Sequence, residues 1–433
     1  MPALHRIHWT GGAPAYMPKA AALPADVDVV VVGAGFTGLT AAIHLARGGR
    51  SVAVLDAGSI GHGASSRNGG MVGPSFHKIG MAGLTAKYGE AKAVAILREG
   101  MLALDHFESF VADEGLDCDL QLTGRFRGAV TSDDYDATAR ECARLEKAVG
   151  LPFTMIPQSD QRDRIGTDFY RGGVVYHRDG GIHPRKLVAA LAAKAEDAGA
   201  TLHPDTLVTG ITASGRGAVV RHAGGVINAR DVIVATNGYG IGAGADPLRL
   251  RVVPIRTGAV ATGQLSAAQM ADLTPANHMF SESRRVFMWF RPTPDRTRFI
   301  FGGRMGPIGG GPQAQADALR ASALRVFPQL EGVAFEEVWS GYVAYTVDHA
   351  PHLGKIDGVW FAGGYCGSGV TRSIYFASKL ARRVLGQPGD ETAFDDLPFP
   401  KAPIHPVVAG LGAQALTRWH AMRDAQALAA RDR

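Results

Sequence analysis

The chain is short of cysteine. Three occur in 433 residues, Cys118, Cys142 and Cys366, widely spaced and with no CxxC pair. That pattern speaks against a disulfide framework or a structural zinc site and suits a reducing compartment. A long basic run is also missing. The net charge of +5 comes from scattered arginines, so it reads as a solvated surface rather than a nucleic-acid footprint. The opening MPALHRIHWTGGAPAYMPKAAALPADVD has no apolar core of a secretory signal, and its Pro, Gly and Ala content reads as an extended arm in which His5 and His8 are solvated. The longest apolar stretch is interrupted by glycines and is not expected to span a membrane. No internal repeat or low-complexity tract is present. A content of 46% hydrophobic and 20% charged residues is ordinary for a globular protein, and the length allows two or three domain-sized units. A cytoplasmic protein is the expectation.

What is present is concentrated between Val27 and Asp56. The apolar run Val29 to Val32 enters Gly33-Ala34-Gly35-Phe36-Thr37-Gly38, an alanine-rich amphipathic stretch follows, and after Gly48-Gly49 a second apolar run, Ser51 to Leu55, ends in Asp56. This is the order of a dinucleotide-binding βαβ unit. Gly33 permits the tight turn, Gly35 lets the backbone approach a pyrophosphate, and Gly38 lets the helix pack on the sheet. The helix beginning at Phe36 and Thr37 points its free N–H groups at the phosphates, and Asp56 is placed for ribose hydroxyls. Downstream, Gly61-His62-Gly63-Ala64-Ser65-Ser66-Arg67-Asn68-Gly69-Gly70 offers a second cluster of small residues and backbone donors, suited to an isoalloxazine edge. FAD is favoured over NAD on that loop.

Residues from about 82 to 150 carry helical spacing, notably Ala91 to Ala112 and Tyr135 to Val149, and read as helices outside the nucleotide core. Pro184 suits an early helical position before Lys186 to Ala198. Leu207 to Ile211, Ala218 to His222 and Val226 to Ala229 read as short strands, and Asp231 to Asn237 as a buried one. From Arg249 to Arg304, RVVPIRTGAVAT, RRVFMWFRPT and RFIFGGR predict a second sheet forming a substrate-facing wall. Val359 to Ala362, a glycine turn and a helix from about Val370 to Leu385 repeat the strand, turn, helix pattern, aiming a second helix N-terminus at a ligand. Gly412 to Arg433 is expected to be a terminal helix.

The order GAGFTG, Asp56, GASSRNGG, GGIHP, ATNG, TVDHAPHLG and VWFAGGYCGSGV, covering roughly residues 26 to 400, resembles the FAD-dependent amine and amino-acid oxidases of the glycine oxidase, sarcosine oxidase and D-amino-acid dehydrogenase type. It is nearest to the γ-glutamylputrescine-oxidase-like branch. The resemblance implies that Gly33, Gly35 and Gly38 line the pyrophosphate and Asp56 meets the ribose. Ser65, Arg67, Asn68, Gly69, Gly70 and Met71 would form the loop along pyrophosphate and flavin edge. Val208 would hold adenine, Thr236 and Gly238 would close over the dinucleotide, and Gly364, Gly367, Ser368, Gly369 and Val370 would lie beneath the flavin pyrimidine. Three departures stand out. Val343 occupies the place of the cysteine that tethers flavin in covalent sarcosine oxidases, so FAD is expected to be noncovalent. Cys366 and Ser368 replace the serine and histidine of the family turn. No lysine lies between Lys194 and Lys355, where relatives carry one that promotes reaction with O₂.

The implied architecture is α/β and α+β, a Rossmann-like FAD-binding domain interleaved with a substrate domain on a mostly antiparallel sheet. FAD-binding residues are expected at 26–82, 160–245 and 336–400, substrate-domain residues at 83–159 and 246–335, an arm at 1–25 and a helical tail at 401–433. The implied reaction is oxidation of an amine or amino acid to an imine by hydride transfer to the flavin, with O₂ as acceptor. The alternatives are a dehydrogenase using a quinone or carrier, or the flavin subunit of a larger complex, for which the arm and terminal helix would supply contacts. Candidates for the substrate side are Tyr345, Arg304, Arg291, Trp289, Tyr342 and Phe287: the aromatics as a wall, an arginine as a carboxylate clamp. Each competes with an ordinary role in packing or ion pairing. His349 and His352 lack the partners a metal needs, so no metal site is expected. Cys366 is either a thiol at a helix N-terminus or a small buried filler.

Overall fold

The structure is a computed structural model that describes residues 4–214, 217–240, 247–286, 288–304, 311–402 and 406–431. Val29, Val30, Val31 and Val32 are all buried, and a strand apolar on both faces belongs inside a sheet covered from both sides. Asp26–Val32 meets that condition. It runs parallel to Val52–Leu55 on one edge and to Gly225–Val234 on the other, with Thr201–His203 parallel beyond Val52–Leu55. The sheet has eight strands.

The two runs Val226 to Ala229 and Asp231 to Asn237 are one strand, Gly225–Val234. Its first half forms a hairpin with Gly217–His222, while its second half continues along the central strand and holds Val359–Gly363 in parallel. Asn228, Arg230 and Asp231 therefore mark a change of partner, not a turn. Past Val234 the chain tightens into a single 3-10 turn, Asn237–Tyr239.

Helix Phe36–Arg47 packs between Pro184–Asp197 and Gly369–Leu385. The second of these three begins as the sequence suggests, with Pro184 in its first turn and the His183 ring accepting from the Lys186 N–H at 3.2 Å. The expected helices of residues 82–150 form as Gly80–Tyr88, Glu90–Asp113 and Ser132–Val149. The long middle one is not outside the nucleotide core. Leu104, Phe107 and Phe110 share a buried cluster with Val29 and Val31, because Glu90–Asp113 packs on Gly369–Leu385.

A second sheet of nine strands runs in the order Leu4–His5, Phe335–Tyr345, Val253–Thr262, Phe299–Gly303, Met288–Pro292, Met279–Glu282, Arg125–Gly128, Gly173–Tyr176, Phe153–Ile156. Every pairing is antiparallel except the first and the join of Met279–Glu282 to Arg125–Gly128. Its core is aromatic: Phe280, Phe290, Phe299, Phe301 and Phe327 are fully buried and in stacked, tilted or edge-on contact, and helix Pro312–Val326 covers them. Gly173–Tyr176 and Phe335–Tyr345, grouped by sequence with FAD-binding stretches, belong to this sheet.

Both ends of the described chain are docked. Leu4–His5 adds a parallel edge strand to Phe335–Tyr345. The tail forms helix Pro406–Arg431, whose Asp424 carboxylate accepts from the Val286 N–H at 2.9 Å. Among the described residues, no helix is long and apolar enough to cross a membrane.

Candidate active site

Where the parallel strands Asp26–Val32 and Val52–Leu55 end, a cavity of about 630 Å³ opens between the two sheets. Ligands of open parallel sheets bind beyond the carboxyl ends of the strands, and this volume lies in the range of about 300–1,000 Å³ typical of cofactor sites. Gly33, Gly35, Phe36, Thr37 and Asp56 line one stretch of it. Gly33 needs its freedom, with φ +107° and the Ala235 carbonyl 3.1 Å from where a Cβ would stand. At Gly35 a Cβ would lie 2.8 Å from Ser65 Oγ, and that hydroxyl accepts from the Phe36 N–H at 3.0 Å, tying the downstream loop to the helix N-terminus. Gly38 does not reach the cavity. Its missing Cβ would stand 1.8 Å from the Gly33 oxygen, so it serves the close packing of helix on turn.

Asp56 lines the cavity while accepting from the Ala34 and Gly58 N–H groups at 2.8 and 3.0 Å. Burial raises its pKa, and those two N–H groups oppose the rise. It therefore shapes the glycine turn as well as facing the ligand. Val208 and Thr236 line the cavity, and the buried Thr236 Oγ1 has no hydrogen-bond partner among the described residues. A buried hydroxyl without a partner is costly, and one facing a cavity beside a glycine turn fits a polar ligand such as a dinucleotide. Gly238 lies behind, against Ala344.

The loop Ser65, Asn68, Gly69, Gly70 and Met71 forms the next wall. Asn68 bridges it from within, its amide donating to the Ala64 and Ser65 carbonyls while its oxygen accepts from the Gly70 N–H at 2.7 Å. Arg67 turns away and donates to the Gly63 carbonyl. Gly367, Gly369 and Val370 line the opposite end, with the N-terminus of helix Gly369–Leu385 facing in. Gly364 and Ser368 stand just behind. Gly364, at φ +75°, donates its N–H to Asn237 Oδ1 at 2.9 Å, and Ser368 precedes the helix without a side-chain cap bond. Cys366 is buried at φ +52° with its thiol directed at the Gly364 carbonyl, 3.1 Å away.

The substrate-side candidates separate. Trp289 lines the cavity, its indole lying over Gly69 and Gly302, where a Cβ would fall 2.6 and 2.0 Å from the ring. Tyr342 lines the mouth and is partly exposed. The Tyr345 hydroxyl lies 3.9 Å from where a Cβ on Gly367 would stand, and the Arg304 guanidinium sits over the Tyr345 ring at 5.5 Å. Arg291 is placed differently. It is fully buried, and its Nη1 donates to the Gly69, Gly70 and Ile182 carbonyls at 3.3, 2.9 and 2.9 Å. Burial pulls its pKa down to about 9, so it remains a cation at neutral pH. Its charge faces the loop backbone. Phe287 falls outside the described residues.

Several residues of the site were not read from the sequence. Lys78 brings its ammonium to 4.0 Å from the Cβ position of Gly367, beside the Tyr345 hydroxyl. The residue has exposed surface, yet its charged end is crowded by protein, and burial with the nearby Arg372 and Arg304 charges lowers its pKa to about 8. Asn237 orients the Gly364 turn, Tyr239 accepts from the Tyr342 N–H at 3.1 Å, and Tyr365 bonds Thr37 at 2.9 Å across the cavity wall. Lys78 belongs to no run with a recognisable spacing, while Asn237 and Tyr365 lie within ATNG and VWFAGGYCGSGV, where the sequence assigns them no side-chain role. His352 and Asp348 face each other at 3.1 Å, and the His352 ring stacks on Phe399.

Known proteins share this arrangement. The model of the FAD dependent oxidoreductase family matches residues 28–383. The chain is 31% identical to gamma-glutamylputrescine oxidoreductase of Escherichia coli (strain K12) over 88% of each chain, and 29% identical to the probable oxidoreductase OrdL of Rhizobium meliloti (strain 1021) over 92% of each. The fold is that of glycine oxidase from Geobacillus kaustophilus, with a TM-score of 0.72 at 23% identity, covering 88% of this chain and all of that one. With the glycine turn, the loop 65–71 and the helix at Gly369 all meeting one cavity, and a family match spanning most of the length, the chain belongs to the FAD dependent oxidoreductase family, and its cofactor is FAD.

Proposed function

We propose that the protein oxidises the C–N bond of an amine or amino acid to an imine, which water hydrolyses, with O₂ as the electron acceptor and H₂O₂ as the second product. The observation that carries this reading is the approach of the Tyr345 hydroxyl and the Lys78 ammonium to Gly367, which lines the cavity, with Arg304 over the Tyr345 ring and Trp289 on the cavity wall at Gly69. Bound FAD supplies the hydride acceptor and passes the two electrons on. The protein's part is to present the amine neutral, oriented and shielded from water.

The charges at this end suit that task. Lys78, Arg304 and Arg372 are cations that raise the cost of a nearby ammonium, so a bound amine is driven towards its neutral form. Trp289 and Tyr345 provide an apolar wall for the carbon that loses hydride. Arg304 is the better placed of the two arginines to hold a substrate carboxylate, since Arg291 Nη1 is spent on three backbone carbonyls. Lys78 supplies the positive charge that reaction with O₂ favours, entering from the segment after the flavin loop instead of from the substrate sheet.

The test is anaerobic mixing of the yellow holoprotein with polyamine derivatives, N-methylated amino acids, simple amino acids and cyclic imino acids, then admission of air. Bleaching by one class and recolouring in air within seconds is expected. Bleaching with slow recolouring supports a dehydrogenase using another acceptor, and no bleaching by any amine overturns the proposal.

A further inference from the structure

Residues 67 to 70 of the flavin loop have their four successive carbonyls bound by side chains from elsewhere. Trp339 Nε1 donates to the Arg67 carbonyl at 2.9 Å, Trp9 Nε1 to the Asn68 carbonyl at 2.8 Å, and Arg291 Nη1 to those of Gly69 and Gly70. Trp339 and Arg291 come from strands of the nine-stranded sheet; Trp9 comes from the arm. In a trans peptide the carbonyl and the following N–H point opposite ways. Holding this row of oxygens therefore restrains how the loop's peptides meet the cavity; within the loop the Asn68 and Gly70 N–H groups are already taken by the Ala64 carbonyl and Asn68 Oδ1.

Trp9 is fully buried, edge-on to His183 at 5.1 Å, with the Arg291 guanidinium 5.7 Å from its ring. Its insertion is secured from outside. Leu4–His5 pairs with Phe335–Tyr345, and the buried Glu337 carboxylate accepts from both Arg6 and His8, the latter at 2.6 Å. The His8 expected to be solvated is thus one of the arm's fasteners.

We infer that the N-terminal arm is part of the flavin site: Trp9 is a positioning residue that, with Trp339 and Arg291, sets the loop 67–70 for FAD. The arm and FAD grip the same loop from its two sides. By linkage, docking of one strengthens docking of the other by the same factor. The inference rests on the chain's use of FAD and not on the amine reaction, so either can fail alone.

The test uses full-length apoprotein and FAD. For Trp9→Phe, which keeps the ring and removes the N–H, the FAD dissociation constant is expected to rise about tenfold, equivalent to about 1.4 kcal/mol, with a shifted visible band of the bound flavin. Arg6→Ala, an exposed change that leaves the loop untouched, should move both readouts the same way by about threefold. In the wild-type chain, tryptic cleavage after Arg6 should slow several-fold when FAD is added. If Trp9→Phe does not fold, Arg6→Ala and the cleavage rate decide. FAD affinity within twofold of wild type in every variant that folds, together with cleavage indifferent to FAD, overturns the inference.

Discussion

The two ends of the cavity are built on different principles. At the Gly33 end the cavity wall is backbone: Gly33 and Gly35 clear space, a helix begins at Phe36, and side chains such as Ser65 and Asp56 mainly hold the backbone in place. Around Gly367, side chains come from far apart in the chain, with Lys78 and Tyr345 nearby and Arg304 over the Tyr345 ring, while Trp289 stands on the cavity wall at Gly69. A backbone site must be written as contiguous glycines and small residues, whereas a side-chain site needs only one residue from each of several strands. The first can change only by rebuilding a segment, the second by changing single residues.

If the ends are independent, damage to one should spare the other. The largest effect is expected for Phe290→Ala, in the aromatic core beneath the substrate sheet, which should cost about 3–5 kcal/mol of stability while leaving the FAD affinity of the folded protein within a few-fold. Denaturant unfolding with a parallel FAD titration checks this, and a collapse of FAD affinity in still-folded protein would merge the two ends. Next, Gly35→Val should weaken FAD binding by about ten- to a hundredfold, the overpacking cost of about 1–3 kcal/mol, as read by quenching of flavin fluorescence. Unchanged binding would remove the glycine turn from the site.

Lys78→Met sharpens the contrast within the catalytic end. Flavin reduction by substrate should stay within about threefold, while reoxidation by O₂ slows about tenfold, or about 1.4 kcal/mol of barrier. The sign with pH is fixed by the lowered pKa: below about 8 Lys78 is an ammonium, above it a neutral amine. Wild-type reoxidation should fall as pH rises through that value, and the variant should lose the dependence. Stopped-flow measurement of the two half-reactions separates these outcomes, and equal slowing of both would make Lys78 a substrate-binding group instead. The smallest effect is expected for Ser65→Ala, which leaves the Phe36 N–H without its acceptor at a cost of about 1 kcal/mol, visible as a roughly fivefold weaker FAD titration.

The same division explains what could be read beforehand. Strand Asp26–Val32, the turn at Gly33 and the helix at Phe36 are local, and each residue's part follows from its neighbours. The second sheet is visible in the sequence as aromatic strands, and its mostly antiparallel pairing is what the family resemblance implies. Arg291 illustrates the limit. An arginine in an aromatic strand suits a carboxylate clamp, and only its burial against Gly69, Gly70 and Ile182 shows that it serves the loop backbone. Trp9 and Lys78 had no periodic context at all: one meets its partner 59 residues away at Asn68, the other approaches Gly367 from the segment just after the loop 65–71. Contacts of that range are set by tertiary packing, which single-residue patterns do not carry.

The central claim is that an amine is oxidised at the Gly367 end with O₂ as the acceptor. The most direct test is a product balance on one bleaching amine in air. The account predicts one carbonyl product, one released amine or ammonia and one H₂O₂ for each O₂ consumed. Amine loss without matching O₂ consumption and H₂O₂ would contradict it.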